Sequence, residues 1–511
     1  MRRLSKGKSR FSFPLRARLP PADVSLAARE IQQVSMERRR MGVVERGQVC
    51  WFSHQHYDAT ARLFCLIQRL PNYRKDCGVP PLRFSVLEMK AMEQITARGS
   101  RRKFLAGLAA AGVVNQARGA SESSASLPEL SRLANQTVLD VSFVKQPVKI
   151  ASIELLKNGR VYLVRVRSSD GAEAVTVPNP DRMALMYPVF LKCVAPFFVG
   201  KDARDLEKLL WEVYRAGSNY KLQGIALWVC VAAVEMALLE LMGRVANRPV
   251  ADFFGGRIRQ DIPVYVASSN RGNSPQAEIA HLQKLVAGSG ARALKFRLGG
   301  RMSRNADSAP GRTEALIKLA RETFGAEMTL YGDANSSYDT REAIRIGKLM
   351  EEHGYGFFEE PCEFDDLWST KAVADALTIP VAGGEQEFSL HRWQWAIANR
   401  GLDIAQPDLH YGGGLIRATK VARMAASAGL KVVPHMSGGG LGYLDVIQFA
   451  SFTPNIGPFM EFKGNTDLPV SCETSSLKCE RGQVRCPSGP GFGVTLDPAF
   501  IGLAKKIEAG A

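Results

Sequence analysis

The pattern of apolar and polar positions divides the chain into three stretches. From Val148 the segment KIASIELLKNGRVYLVRVRSSDG alternates with a period of two on both sides of Asn158 and Gly159, a dipeptide suited to a tight hairpin turn, and predicts two antiparallel strands. Helical spacing takes over in DARDLEKLLWEVYRAG, where Asp202 is placed to cap the first turn, and again in LWVCVAAVEMALLELMGRVANRPV. The latter is apolar nearly all round, so it is expected to be buried between two layers. From Ile262 short apolar runs alternate with amphipathic stretches. The runs at 262–268, 293–298, 328–333, 356–360, 380–385, 403–408, 431–435 and 458–462 predict strands. Segments such as GRTEALIKLARETFG, DTREAIRIGKLMEEHG and GLIRATKVARMAASAG predict the helices between them. Parallel strands buried on both faces and separated by helices make an α/β fold, here a closed barrel. The boundaries are 145–260 for an α+β cap, 261–463 for the barrel and 464–511 for a turn-rich tail expected to return to the cap.

At 511 residues and 46% hydrophobic content, the chain has room for both domains and an extension. Its net charge of +17 is uneven: through Lys103 there are 22 Lys and Arg against 8 Asp and Glu, a surplus of 14. The remaining body is close to neutral, which argues against a nucleic-acid-binding face on it. Residues 1–99 are rich in Arg, lack sustained periodicity and read as a basic extension. Within 100–126, Ser100-Arg101-Arg102-Lys103-Phe104-Leu105-Ala106 followed by GLAAAGVV resembles a twin-arginine export signal, and the Ser/Ala-rich GASESSAS reads as a linker. The apolar stretch there is about a dozen residues, too short to span a bilayer, so no stable membrane insertion is expected. Such signals sit at a chain start, which places the expected start of translation near Met89 or Met92 and the protein in the periplasm. A cytoplasmic location follows if the signal does not function. The cysteines have no CxxC spacing, which leaves a zinc ribbon unsupported, although Cys472, Cys479 and Cys486 could bridge after export.

Charged groups close the successive apolar runs: Lys295 with Arg297, then Asp333, Glu359, Glu385, Asp408, His435 and Glu461. From Asp333 the intervals are 26, 26, 23, 27 and 26 residues, the length of one strand, one helix and two loops. The C-terminal ends of parallel barrel strands are where such a fold builds its site. Asp333, Glu359 and Glu385 fall on three adjacent ends, where three carboxylates repel unless they hold a cation. An all-oxygen set suits one Mg²⁺. Asp408 and His435 fall on the next two, and a carboxylate on imidazole Nδ1–H would make His435 a general base. Lys295 and Arg297 flank Phe296, so both point into the barrel and could offset the charge of a carboxylate substrate. Glu461 completes the ring. Asn335 and Gln386, just after two of the acids, and Tyr220 and Lys221 in SNYKLQG are weaker candidates for touching substrate. Specificity is expected from the cap, in AVTVPNPDR and SNYKLQG. GGRIRQ and GGGLIR lack the context of a dinucleotide-binding turn.

These residues, with FFEEP, AVEMALLELMGRVANRPVADFFGG and SGPGFGVTLD, make residues 148–500 similar to the enolase superfamily, specifically its mandelate racemase-like subgroup. The resemblance implies a (β/α)7β TIM-like barrel under a mobile α+β cap. It implies that Asp333, Glu359 and Glu385 bind Mg²⁺, with Glu359 rather than Glu360 as the ligand. It further implies that His435 and Asp408 form the general-base dyad and that Glu461 hydrogen-bonds a developing enolate. The subgroup often carries Lys-x-Lys where this chain has Lys295-Phe296-Arg297. A guanidinium stays protonated below about pH 12 and makes a poor second base. Dehydration of a sugar acid to a 2-keto-3-deoxy acid is therefore the expected reaction, with a racemase or epimerase and a non-catalytic sugar-acid binding protein as alternatives. The expected partner is a small carboxylate, bound by a homo-oligomer.

Overall fold

The computed structural model describes residues 125–437, 441–464 and 466–508. The basic extension, the twin-arginine segment and Cys50, Cys65 and Cys77 lie outside the described residues. The described chain begins at a linker that turns directly into structure. Ser126 caps the helix Leu127–Asn135 through its hydroxyl, which accepts from Glu129 N, and Leu130 and Ala134 are buried. Residues 127–144, to which the sequence pattern assigned no element, lie on the barrel: Lys420 Nζ donates to the carbonyls of Ala134 and Gln136, each at 3.0 Å.

The cap contains an antiparallel sheet of β1 (Ile150–Asn158), β2 (Val161–Ser168) and β3 (Glu173–Thr176). Asn158 pairs with Val161, so the turn is Gly159-Arg160, one residue later than Asn158-Gly159. Gly159 takes φ +58°, the left-handed region that a tight hairpin demands at its first loop position. The apolar helix Ile225–Ala246 packs under β2 and β3 and against the barrel helix Leu415–Ser427, and every residue from Leu227 to Gly243 is buried. It is long and apolar enough to cross a membrane, yet its most apolar window is 89% buried in protein. Two acids interrupt it, and both accept from distant backbone N–H groups. Glu235 Oε1 accepts from Ile416 N at 3.0 Å, at the start of that barrel helix. Glu240 Oε2 accepts from Phe492 N at 2.7 Å and thereby fixes the tail. Buried carboxylates need such partners, and for Glu235 the free N–H of a helix start supplies one.

The barrel strands are β4 (Asp261–Ala267), β5 (Ala293–Arg297), β6 (Thr329–Asp333), β7 (Phe357–Glu359), β8 (Val381–Gly383), β9 (Ile404–Ala405), β10 (Lys431–Val432) and β11 (Met460–Phe462). Each lies inside or within one residue of the run that predicted it. They pair in parallel in chain order from β4 to β10, and β11 pairs back with β4 at Met460↔Val264. A bridge from Val432 to Ile456 closes the remaining gap. Tyr265, Tyr331 and Phe357 fill the interior below the site, with Tyr331 and Phe357 stacked at 3.8 Å. The tail adds β12 (Val470–Ser471), β13 (Cys479–Glu480), β14 (Gln483–Arg485), β15 (Thr495–Leu496) and β16 (Lys505–Lys506). β14 runs antiparallel to the first residues of β4 and so covers the N-terminal end of the barrel, and β16 joins β1 in the cap. Cys472, Cys479 and Cys486, which could bridge after export, are all free here: Cys486 is buried against Gln448 while Cys472 faces Thr474.

Candidate active site

Strand register sets the height of each group. Arg297 pairs with Asp333, and Asp333 with Glu359, so these three share one level across β5, β6 and β7. Lys295 sits two residues earlier on the same face as Arg297, while Phe296 points outward to Tyr355. Lys295, at 1% exposure, places its ammonium 2.6 and 2.8 Å from the two Glu359 oxygens and 3.0 Å from Glu461 Oε1. Burial alone would lower the Lys295 pKa, but the Glu359 and Glu461 carboxylates outweigh it and hold the group charged. Arg297 contacts Asp333 Oδ2 directly. Glu461 is likewise opposed by burial, then drawn well below the usual carboxylate range by Lys295, Lys463 and His435. It also accepts from Met436 N at 2.8 Å.

On the other side Asp408 and His435 bridge across neighbouring strand ends. His435 Nδ1 lies 2.6 Å from Asp408 Oδ2, and both residues are buried. Asp408 Oδ1 accepts three further bonds, from His410 N and Tyr411 N at 2.8 Å each and from Ser437 Oγ at 3.1 Å. Burial opposes its ionisation, but the bond from His435 and these neighbours overcome it and keep the pKa below the ordinary value. A permanent carboxylate on Nδ1 fixes the tautomer in which Nε2 is the free nitrogen. That Nε2 lies 3.2 Å from Glu385 Oε2, 3.4 Å from Lys463 Nζ and 3.9 Å from Glu461 Oε2.

The expected cradle of three acids is drawn differently. Among the described residues no three His, Cys, Asp or Glu side chains converge as metal donors. Asp333 and Glu359 turn to Arg297 and Lys295, the nearest positive groups, and Glu385 Oε2 lies beside His435 Nε2. The donor set still fits a hard divalent cation by its chemistry. All donors are carboxylate oxygens on neighbouring strand ends, and among them Glu360 Oε1 is buried without a hydrogen bond, while Asp333 Oδ2 and Glu385 Oε2 are buried with Arg297 and His435 as their nearest partners. Burial first, then the nearby Glu385 charge, pushes the Glu360 carboxyl well above its usual range, as expected where acids crowd without a cation between them.

Asn335 and Gln386 sit where expected. Asn335 donates to Glu360 Oε2 at 3.1 Å and accepts from Arg297 at 3.1 Å, and Gln386 donates to Glu385 Oε1 at 2.9 Å. Tyr220 and Lys221 are not brought to the acids. Tyr220 is 45% exposed with its ring against Tyr214, and Lys221 is exposed with no polar partner among the described residues. Their segment, Ala216–Leu222, is a short helix of the cap whose outward side chains the loop-like sequence did not reveal. The other cap segment, AVTVPNPDR, does reach the mouth: Asn179 donates to Ser437 Oγ at 2.9 Å and Arg182 to Tyr411 Oη at 3.0 Å. Two residues escaped the sequence reading although alternation marks them. Gln406, two before Asp408, donates to Glu359 Oε2 at 2.9 Å. Lys463, two after Glu461, bonds to the Met436 carbonyl beside His435.

Known proteins share this sequence and fold. Residues 134–255 match the mandelate racemase / muconate lactonizing enzyme N-terminal domain, and residues 277–500 match the enolase C-terminal domain-like family. An arabinonate dehydratase of Saccharolobus solfataricus is 28% identical over 66% of this chain and 88% of its own. The structure of a candidate racemase from Roseobacter denitrificans is 34% identical and covers 70% of this chain and 99% of its own, with a TM-score of 0.65. A mandelate racemase/muconate lactonizing protein from Paracoccus denitrificans, complexed with magnesium, is 25% identical over 71% of this chain and 100% of its own, with a TM-score of 0.66. With both domains matched and a 34% identical structure covered over 99% of its length, the chain belongs to the mandelate racemase/muconate lactonizing enzyme family of the enolase superfamily.

Proposed function

We propose that the protein is a Mg²⁺-dependent acid-sugar dehydratase that removes the proton α to a carboxylate, expels the β-hydroxyl and yields a 2-keto-3-deoxy acid. The observation that carries this reading is the buried Asp408–His435 pair, whose free Nε2 faces a centre that holds Lys295 and Arg297 against Asp333, Glu359, Glu385 and Glu461. Asp333, Glu359 and Glu385 would hold the ion, which when bound polarises the substrate carboxylate. His435 Nε2 accepts the α-proton, and Asp408 stabilises the imidazolium that results. Lys295 offsets the second negative charge that the substrate acquires as its carboxylate becomes an enediolate. His435 then returns its proton to the departing hydroxide on the same face, which balances as loss of water. The remaining enol tautomerises to the keto acid.

Racemisation, the activity ascribed to the Roseobacter protein, needs a base on each face of the α-carbon. Arg297 stands opposite His435 and cannot accept a proton near neutral pH, which disfavours that reading. The dehydratase reading accords with the arabinonate dehydratase relative. A library of acid sugars incubated with Mg²⁺ tests it. Keto acid should form from at least one member, stop on chelation with EDTA and resume when Mg²⁺ is restored. Solvent deuterium entering Cα with inversion and without keto acid would instead establish an epimerase. Homo-oligomer assembly, expected for this enzyme, is checked by light scattering of the same preparation.

A further inference from the structure

The site has more positive charge than its acids use. Arg297 is satisfied by Asp333, and Lys295 by Glu359 and Glu461. Three further guanidinium groups surround the tips of β4, β5 and β6. Arg271, half-buried on the loop after β4, donates to Asn335 Oδ1 at 2.6 Å, the same neutral oxygen that accepts from Arg297. Arg312, 3% exposed, donates to the carbonyls of Asn273 at 2.7 Å and Arg297 at 3.1 Å. Arg301 is exposed on a loop held over the mouth by Met302 N to Asn335 O at 3.0 Å and Arg301 N to Ser337 Oγ at 3.0 Å.

None of these three is ion-paired with an Asp or Glu among the described residues. Arg312 Nη2 and Arg271 Nε are buried with no hydrogen-bond partner at all. The buried acid on the neighbouring helix, Glu278, accepts from Asn273 through Oε2 at 2.8 Å and leaves Oε1 without a hydrogen bond, but it makes no ion pair with any of the three. Burial, and then the charges of Arg297, Arg301 and Arg312, push the Arg271 pKa down to about 10. Like charges gathered beside donors with nothing to donate to are costly unless an anion from outside completes them. The groups already assigned to the reacting carboxylate, Lys295 and the metal-binding acids, lie deeper, at the level of the strands.

We propose that Arg271, Arg301 and Arg312 form a second anion subsite at the rim, which takes a carboxylate or phosphate at the far end of a doubly anionic sugar acid. The inference rests on the acid-sugar reading above and narrows its substrate class. A guanidinium that presents two N–H groups side by side matches either oxyanion, and a sugar acid of several carbons reaches from the strand ends to the loop.

The test uses matched triples of one stereochemical series: an aldonate, the aldarate with a terminal carboxylate, and the aldonate with a terminal phosphate. Turnover by the Mg²⁺-loaded full chain gives kcat/KM for each, and calorimetric binding to the turnover-dead H435N variant gives affinity without chemistry. One member with two anionic ends should be preferred over its aldonate, and R271Q should shrink that preference by about 10- to 100-fold, the range for hydrogen bonds to charged groups. R301Q, an exposed change that cannot disturb packing, should shrink it in the same direction. The aldarate and phosphate arms identify which anion is taken. Equal losses on the aldonate and its two-anion partners in R271Q, or no preference in the wild type, overturn the subsite. Failure of every library member to give keto acid, with Arg271-dependent binding of a two-anion probe retained, would defeat the dehydratase reading while the subsite stands.

Discussion

Asp408→Asn removes one charge and leaves the volume unchanged, yet the surroundings dictate how the amide must sit. Oδ1 of Asp408 receives three donors, His410 N, Tyr411 N and Ser437 Oγ. An amide NH₂ turned toward them would set donor against donor at two backbone N–H groups that cannot rotate away, at a cost of about 1–3 kcal/mol for each unsatisfied buried group. The amide oxygen therefore stays there, and the NH₂ faces His435 Nδ1 at the 2.6 Å contact. Nδ1 becomes the acceptor, the proton moves to Nε2, and the base is lost at the atom that must take the α-proton. A wrong-tautomer change of this kind costs about 10⁴ in kcat, or about 5.4 kcal/mol of transition-state stabilisation. The assay is kcat for keto-acid release alongside exchange of the α-proton with deuterated solvent. Both should fall together, with the thermal midpoint of D408N within a few degrees of wild type. Retention of kcat within tenfold, or exchange that persists while elimination fails, would refute the assignment of His435 as the base.

Three other outcomes follow from the structure. Gly414 has φ +106°, and a Cβ there would run into the Glu235 carboxylate, so G414A should lower unfolding stability by about 2–4 kcal/mol in urea titrations through backbone strain and loss of the helix cap. Glu235 is raised from 4.5 to about 8, mainly by burial, so the native state holds a proton that the unfolded state releases, and wild-type stability should fall as pH rises from 4.5 to about 8. E235Q keeps the acceptor for Ile416 N and should remove that decline, a difference on the order of 5 kcal/mol by pH 8 in pH-dependent denaturation; parallel curves for the two proteins would contradict it. The twin-arginine segment predicts export, so changing Arg101 and Arg102 to Lys should retain the protein in the cytoplasmic fraction, and unchanged fractionation would remove the periplasmic assignment.

Hydrophobic period and strand-end spacing by themselves determined the barrel and the ring of groups at its mouth. That is because alternating burial and a repeat of one strand plus one helix are local properties that the chain writes in order. Lys295, Arg297, Asp333, Glu359, Asp408, His435 and Glu461 were all legible for this reason, and their mutual contacts follow from register. The two acids of the apolar helix were visible as residues but not as acceptors for backbone elsewhere, since their partners Ile416 and Phe492 lie 181 and 252 positions away. Distance in sequence likewise hid the pairing of Asn179 with Ser437 and the failure of Tyr220 and Lys221 to reach the acids. The guanidinium cluster is the clearest case. Arg271 comes from the connection after β4, and Arg301 and Arg312 from the one after β5, with no common period, and each alone reads as an ordinary surface charge. Only the pairing of β4 with β5, which brings the two connections side by side, converts them into an uncompensated group of charges with a use.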